Sequence, residues 1–241
     1  METSLYVGLS GQVAMERRLA TIANNVANAG TTGFRAEGVH FSTIVSRTAP
    51  FVTAFATEGS AHVDPRSGGL ITTGNPLDVA IQGEGFMAIQ TPQGTAYTRD
   101  GRMQMLSTGD LVSLNGHPIL DVSGSPITLD PSGGPAAINR DGTLQQGGRA
   151  IGAIGLFEVD LSKGYKRYEN SGFVPSSTPL PIEDFTRNGV VQGFIEESNV
   201  NPILEMTHLI AVQRAFEAMS SGMEQRDSTL RDTIQALGAR S

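Results

Sequence analysis

The sequence predicts a mainly β central domain placed between two long terminal α-helices. Apolar residues recur every three or four positions at both ends of the chain, which is the spacing of an amphipathic helix. No such pattern occurs from Pro76 to Val190, so folds built from βαβ units are excluded. Glycine accounts for 29 of the 241 residues. This share is above the typical value of about 7 % and indicates many tight turns in the middle of the chain.

The N-terminal helix is predicted within residues 1–35. Its seam falls at alternating steps of three and four residues, close to a heptad, and comprises Leu5, Gly8, Gln12, Met15, Leu19, Ile22 and Val26. Gly30 follows the last periodic residue and is a typical C-terminal stop. Three asparagines, Asn24, Asn25 and Asn28, lie just before that stop. Asparagine is a poor residue for the interior of a helix, so their presence needs an explanation.

The C-terminal helix is predicted within residues 197–241. Asn201 and Pro202 are typical of an N-cap followed by proline in the first turn. One heptad register then holds Leu209, Val212, Phe216, Met219, Met223, Leu230 and Leu237. A helix of roughly 35 residues is much longer than the mean of about 11–12 residues for globular proteins. That length favours a coiled coil or an assembly helix, while an ordinary core-facing helix remains the alternative.

The middle of the chain carries the signals of a β domain, predicted within residues 76–196. Four Asp-Gly or Asn-Gly dipeptides, at 100–101, 115–116, 141–142 and 188–189, predict type I′ hairpin turns. The stretch from Ala150 to Leu161 predicts one further strand. Residues 36–75 are rich in Ser, Thr, Ala and Gly without sustained periodicity, which favours an extended hinge or arm.

Composition argues against several functional classes. The formal net charge of −7 offers no general attraction for nucleic acid. The absence of cysteine excludes disulfides and thiolate metal sites. No apolar run approaches the ~18 residues of a membrane span, so we expect no membrane insertion. The N-terminus has an acid at Glu2 and no basic region, so we expect no Sec signal peptide.

The search for catalytic chemistry yields weak signals only. Residues 83–88 match the dinucleotide pattern G-x-G-x-x-A by letter, but the residues that follow alternate like a strand, where that motif needs a helix. Four histidines stand singly, and no nucleophile-elbow motif occurs. Glu158 and Asp160 share a strand face, as many solvated acids do. We therefore predict an absence of catalytic, cofactor-binding and metal-binding residues.

Two stretches resemble the signatures of the flagellar rod, hook and hook-associated protein family. "LATIANNVANAGTTGFRAE" (Leu19–Glu37) resembles the N-terminal signature, and "EESNVNPILEMTHLIAVQRAFEA" (Glu196–Ala218) resembles the C-terminal one. "GNPLDVAIQGEGFMAI", "YTRDGRMQM" and "GDLVSLNGHPIL" are similar to the central blocks of the rod members. The short chain, with Gly33-Phe34-Arg35 and "PLDVA" (76–80), is most like the proximal-rod members. The distal-rod members are the near alternative.

The resemblance implies a structural role without enzymatic activity. In this family the terminal helices pair as a coiled coil around an export channel, and the β domain lies outside it. The implied partners are copies of the same chain, other proximal- and distal-rod subunits, and the flagellar type III export apparatus. The implied location is the basal-body rod, which spans the periplasm and transmits torque. Alternative classes are a secreted β-rich binding or adhesive module and a β-scaffold hydrolase.

The expected assembly interface lies on both terminal helices. On the N-terminal helix it comprises Leu19, Ile22, Asn24, Asn25, Val26 and Asn28. On the C-terminal side it comprises Asn199, Asn201, Leu209, Val212, Gln213, Arg214, Phe216, Met219 and Met223. Asparagine amides beside an apolar seam are costly to bury unpaired, so they favour the register that pairs them. The alternative is local, with Asn28 near a helix C-cap and Asn24 in solvent.

Overall fold

The computed structural model describes residues 2–46, 53–57 and 59–238. Both predicted terminal helices are confirmed, as α1 (Glu2–Ala27) and α2 (Pro202–Gly238). The strands between them are β1 (Glu37–His40), β2 (Thr43–Ser46), β3 (Thr53–Ala56), β4 (Ser60–Val63), β5 (Leu70–Thr72), β6 (Val79–Gln82), β7 (Gly85–Thr91), β8 (Gly94–Thr98), β9 (Met103–Met105), β10 (Leu111–Ser113), β11 (Ala137–Ile138), β12 (Thr143–Gln146), β13 (Arg149–Ala153), β14 (Leu156–Glu158), β15 (Tyr165–Tyr168), β16 (Gly172–Pro175), β17 (Leu180–Pro181), β18 (Gly189–Gln192) and β19 (Phe194–Glu196). A 3₁₀ turn covers Leu161–Lys163.

The chain divides into two compact units. The first unit contains the described residues of Met1–Ala27, Glu37–His62 and Asn201–Ser241. The second unit contains Asn28–Ala36 and Val63–Val200. The segment 36–75, predicted as an extended arm, therefore supplies residues to both units, and the structure gives it strands β1 to β5.

In the first unit α1 and α2 run antiparallel. Gly8 of α1 lies beside Met223, and Gly11 lies beside Met219, one turn back along α2. A Cβ atom at either glycine would come within 3.1 Å of the methionine side chain, so the missing side chains allow close approach. Gln12 continues the contact, since its Nε2 donates to Ser220 Oγ over 3.2 Å. The β2–β3 hairpin packs beside α1 in the same unit.

The second unit is built on a six-stranded antiparallel sheet in the order β15-β16-β8-β7-β14-β17. Smaller sheets, β10-β9, β11-β12-β13, β18-β6 and β19-β5, surround it. The larger of two apolar clusters draws on β6, β7, β9, β10, β12 and β14. A smaller cluster holds Phe86, Phe157 and Phe173, and the rings of Phe86 and Phe173 meet edge to face at 6.0 Å. The core therefore forms where neighbouring sheets turn their apolar faces toward one another.

The type I′ prediction is wrong at all four Asp-Gly and Asn-Gly dipeptides. That turn needs positive φ at both central residues, whereas Glu169 is the one non-glycine residue with positive φ in the described part of the chain. Asp100 and Asp141 instead accept hydrogen bonds from backbone N–H groups two residues further on. The side chains organise these turns, which removes the need for a second residue with positive φ.

The structure also shows where the tight hairpin of the central sheet lies, and it corrects one predicted strand. The tight hairpin of the central sheet joins β7 to β8 through Pro92 and Gln93, with Thr91 paired to Gly94. The predicted strand from Ala150 to Leu161 is two strands, β13 and β14, which belong to different sheets. Gly155 lies between them, where a Cβ atom would come within 2.7 Å of the Asp121 backbone. The close approach of that backbone separates the two strands.

Candidate assembly site

Asn25 is the most deeply buried of the three N-terminal asparagines. Its side chain is 2 % exposed. Nδ2 donates to the Glu37 carbonyl over 2.8 Å, and Oδ1 accepts from the Glu37 N–H over 2.9 Å. Nδ2 also lies 3.3 Å from Glu205 Oε2 of α2. A single amide thus joins the end of α1, the start of β1 and α2 within the first unit.

The other asparagines also have identifiable local roles. Asn28 is buried, and its Oδ1 accepts from Thr31 Oγ1 over 3.1 Å in the turn that follows α1. Asn24 is half-buried and has a partner of its own. Asn201 is the N-cap of α2, as predicted, because its Oδ1 accepts from the N–H groups of Ile203 and Leu204. Asn28 lies just after the end of α1, as the local alternative expects, whereas Asn24 is half-buried and so departs from it. A role of these asparagines in contacts between copies stays a prediction.

Asn199 joins two segments of the second unit. Its Oδ1 accepts from the Ala36 N–H over 2.7 Å, and its Nδ2 donates to the carbonyls of Asp64 and Arg66. The Asn199 N–H also donates to the Phe34 carbonyl over 3.4 Å. The N-terminal and C-terminal signature stretches therefore meet within the second unit, with Asn199 holding them together.

The apolar interface residues predicted on the helices are largely covered in the first unit. Val212 is 5 % exposed and Ile22 is 6 % exposed. The half-buried residues are Leu19, Val26, Leu209, Phe216, Met219 and Met223. Gln213 and Arg214 are exposed on α2. The side chains of Leu5, Leu230 and Leu237, which also belong to the predicted seams, lie outside the part that the structure describes. The apolar seam and the exposed polar face thus occupy different sides of α2.

The second unit contains a buried ion cluster that the sequence analysis missed. Glu196 at the end of β19 lies between Arg35 and Arg99. Its Oε2 is 2.6 Å from Arg99 Nε, and its Oε1 is 3.1 Å from an Arg35 terminal nitrogen. The side chains of all three residues are at most 4 % exposed. The cluster carries two cations for one carboxylate, so its charge is compensated only in part.

Backbone carbonyls complete the coordination of the two guanidinium groups. Arg99 donates to the carbonyls of Ile81 and Gly83 over 2.8 and 3.0 Å, and also to that of Gly85. Arg35 donates to the carbonyls of Pro65 and Arg66. The two arginines therefore fasten the β6–β7 connection and the segment after β4 to one carboxylate.

The burial of Arg35 in this cluster changes its pKa. Burial, with a further contribution from the neighbouring Arg99, lowers the pKa of Arg35 from its ordinary value to about 10. The Arg35 Nε atom has no hydrogen-bond partner although it is buried. Glu196 opposes the pKa shift through its charge and its hydrogen bond. The cluster depends on this one carboxylate for its stability.

The sequence did contain a signal for this cluster. Arg35, Arg99 and Glu196 each lie in a stretch that resembles a family signature, namely "GFR", "YTRDGR" and "EESNVN". Taken separately, these signatures indicate a helix end, a turn and a helix start. Arg35 and Arg99 are 64 positions apart in the chain, and Arg99 and Glu196 are 97 positions apart. The local pattern of one stretch therefore does not indicate which distant residues its side chains contact.

The described part of the chain holds no metal-binding cluster and no membrane-spanning helix. Across residues 2–46, 53–57 and 59–238, no group of three His, Asp or Glu residues is arranged to hold a metal ion. None of the described helices combines the length and the apolarity needed to cross a membrane. Gly83 to Ala88 leads into strand β7, so a helix N-terminus for a pyrophosphate is missing at this motif.

Replacing Asn25 with alanine should destabilise the first unit although alanine is the better helix former. The change leaves the Glu37 N–H and carbonyl without their partner, at a cost of roughly 1–3 kcal/mol. The gain in helix propensity is a few tenths of a kcal/mol. Thermal unfolding of the full chain followed by far-ultraviolet circular dichroism measures the difference. The matched variant Asn24→Ala should lose less, and equal losses would contradict the role given to Asn25.

Comparison with known proteins places both the helices and the β region in one family. Three family models match: "Flagella basal body rod protein" over residues 5–35, "Flagellar hook protein FlgE/F/G D1 domain" over 80–146, and "Flagellar basal body rod FlgEFG protein C-terminal" over 191–236.

Curated relatives align over the whole length of the chain. The flagellar basal-body rod protein FlgF of Mesorhizobium japonicum is 52 % identical over 241 residues, which is 100 % of both chains. FlgF of Rhizobium meliloti is 44 % identical over 238 residues, covering 99 % of both. The flagellar basal-body rod protein FlgG of Bacillus subtilis is 33 % identical over 264 residues, covering 97 % of this chain and 98 % of its own. The chain therefore belongs to the flagellar basal-body rod protein family.

Proposed function

We propose that this chain is a structural subunit of the proximal part of the flagellar rod. The observation that carries the proposal is the full-length identity of 52 % and 44 % to two proteins named FlgF. The FlgG protein of Bacillus subtilis is also similar over the full length, but at 33 % identity. A distal-rod role is therefore the second candidate.

The terminal helices would pair as a coiled coil that lines the export channel. In support, α1 and α2 are antiparallel neighbours, with Gly8 and Gly11 placed against Met223 and Met219. The covered residues Ile22, Val212 and Phe216 would hold the pair together. The exposed residues Gln213 and Arg214, together with the half-buried Asn24, would contact neighbouring copies. The stability of the helix pair and the specificity of stacking would then depend on different residues.

The β-rich second unit would lie outside the channel and transmit torque between neighbours. A body that transmits torque should resist local opening, and buried, hydrogen-bonded cores are the least prone to it. The Arg35–Glu196–Arg99 cluster and the Asn199 bonds tie remote segments of this unit together. Its task would be mechanical, without catalysis or a cofactor.

The proposed partners are copies of this chain, the other proximal- and distal-rod subunits, and the flagellar type III export apparatus. A chain exported unfolded through a narrow channel must fold afterwards without covalent cross-links. The absence of cysteine is compatible with such a route. The proposed location is the rod in the periplasm.

Phe216→Asp tests the proposed function. The substitution places a carboxylate on the half-buried face of α2, where an unpaired charge costs several kcal/mol. Cells whose only copy of the gene carries this change should make the protein, yet fail to build rod and hook and fail to swim. Electron microscopy of isolated basal bodies and motility in soft agar measure both effects.

Ser221→Asp is the matched control for Phe216→Asp. Ser221 is exposed on the same helix, so a carboxylate there stays in water and assembly should proceed. Deletion of the gene should abolish the rod, and normal swimming of the deletion strain would overturn the proposed function. Normal swimming with Phe216→Asp alone would remove the α2 seam from the assembly while leaving the rod role in place.

A further inference from the structure

The first unit has an apolar cleft on the outer side of α1. Tyr6, Leu9 and Val13 form one face of the helix and are 57 %, 50 % and 42 % exposed. With Phe55 and Ala56 of β3 they line a cleft of about 400 Å³. Helix and hairpin are fixed to each other, since the Ala56 N–H donates to Ser10 Oγ over 3.3 Å. The cleft is thus a built groove, wide enough for several apolar side chains.

The first unit also has an apolar ridge, on the first turns of α2. Ile203, Met206 and Ile210 are 79 %, 51 % and 51 % exposed. Their spacing of three and four residues puts them on one helix face. Helices that dock into apolar grooves use anchors at this same spacing. Among the described helical residues, the exposed large apolar side chains fall either on this ridge and its neighbour Leu204 or on the wall of the cleft.

The ridge and the cleft of one chain lie at opposite ends of its helix pair. Gly8 is level with Met223, and Asn25 is level with Glu205. Leu9 and Met206 are therefore separated by about 15 residues of helix, or roughly 23 Å at 1.5 Å per residue. This distance prevents the ridge from filling the cleft of its own chain, so a second molecule must supply the occupant.

We propose that the Ile203–Met206–Ile210 ridge of one copy docks into the Tyr6–Leu9–Val13 cleft of the next copy. The helices run antiparallel in this contact, with Ile203 beside Val13, Met206 beside Leu9 and Ile210 beside Tyr6. This inference rests on the proposed function, and it adds the pair of surfaces by which copies contact one another. Because the two surfaces differ, each added copy exposes a new cleft and a new ridge. The contact is heterologous and builds an open row.

The charges on the two helices favour the antiparallel arrangement. In a parallel contact Ile210 would lie beside Val13, and the next turn would bring Arg214 level with Arg17. Two like charges in register disfavour that arrangement. A parallel contact would also be reciprocal between two copies, so it would close a dimer in which both clefts are filled. The antiparallel contact avoids the arginine pair and leaves the row open.

The size of the contact explains why it would act only in an assembly. Standard stable interfaces use about 20–30 residues from each partner. The ridge offers three anchors, and the cleft offers five lining residues besides Ser10. A single contact is therefore weak, and a dilute chain should remain monomeric. Inside a rod, where other contacts already hold neighbouring copies together, the effective concentration of the two surfaces is high and the weak contact forms.

Disulfide trapping tests the inference, because the chain has no cysteine of its own. Purified full-length Val13→Cys is mixed at high concentration with Ile203→Cys and exposed to a mild oxidant. We expect a cross-linked heterodimer that forms at least ten times faster than from Val13→Cys mixed with Gln213→Cys. Gln213 is exposed on α2 but lies three turns beyond Ile203, too far for a disulfide with Val13 in the proposed register.

The double variant Val13→Cys/Ile203→Cys should give a ladder of multimers on a non-reducing gel. Preferential cross-linking of Val13→Cys with Ile210→Cys, ending at dimers, would overturn the open row. Cross-linking of neither pair above the Gln213 background would overturn the docking itself. If such a chain still restores swimming to a deletion strain, the rod function stands and the docking inference alone has failed.

Discussion

Glu196→Ala should lower the free energy of unfolding of the second unit by about 3–5 kcal/mol, because it leaves two arginines buried side by side without a counter-charge. Arg35 and Arg99 both bond this carboxylate at 3.1 Å or less, and both side chains are buried. The Gly68 N–H, which donates to Glu196 Oε1 over 3.0 Å, also loses its acceptor. Total stabilities of single domains are typically 5–15 kcal/mol, so this loss is large.

Urea unfolding of the full chain, followed by near-ultraviolet circular dichroism, measures this loss. Three of the four tyrosines, Tyr97, Tyr165 and Tyr168, belong to the second unit and report on it. Glu197→Ala is the matched control, since Glu197 is exposed and its removal should change stability by less than about 0.5 kcal/mol. A Glu196→Ala loss below 1 kcal/mol would show that the arginines find other compensation.

Phe34→Ala should also cost the second unit about 3–5 kcal/mol, the usual penalty for removing a buried phenylalanine ring. Phe34 is completely buried. The Arg167 guanidinium lies 4.3 Å from its ring centre and also 4.9 Å from that of Phe173, so removal of Phe34 opens a cavity beside a cation. The cation–π contact adds to the loss of apolar burial.

Phe34→Leu is the informative comparison, because leucine keeps much of the apolar volume and loses the aromatic face. We expect a smaller loss of stability than for Phe34→Ala, measured by the same urea unfolding. The result would establish that Phe34, a residue of the N-terminal signature, stabilises the β-rich unit. Wild-type stability of Phe34→Ala would contradict that role and assign the residue to contacts with other subunits.

Both predictions concern signature residues, and both place their effect inside one chain. Gly33, Phe34 and Arg35 pack in the second unit, and the Gly33 N–H donates to the Glu196 carbonyl over 2.8 Å. A Cβ atom at Gly33 would come within 2.5 Å of the Arg99 and Asp100 backbone, and its φ of +68° also favours glycine. The end of the N-terminal signature is therefore the place where the two ends of the chain join the β-rich unit.

The local properties of the sequence determined the elements at the two ends of the chain. Helix periodicity and capping depend on residues within a turn or two of each other, so α1, α2 and the Asn201 N-cap could be predicted. The family could also be recognised, because its signatures are continuous stretches. The prediction of a β-rich middle without long helices was correct for the same reason, since alternation and turn residues are local features.

The tertiary structure alone decided which of these residues meet and what each does. Arg35, Arg99 and Glu196 come together across 161 positions of the chain, and Asn25 finds the Glu37 backbone only after the chain has turned at Gly30. The sequence predicts the asparagines as contacts for neighbouring copies, and the structure adds the partners that Asn25 and Asn28 have within the chain. Strands β13 and β14 are predicted as one strand, because the residues on either side of Gly155 give no sign that the Asp121 backbone approaches it. Long-range burial and pairing depend on topology, and no periodicity in a linear sequence encodes which distant backbone will supply the missing hydrogen bond.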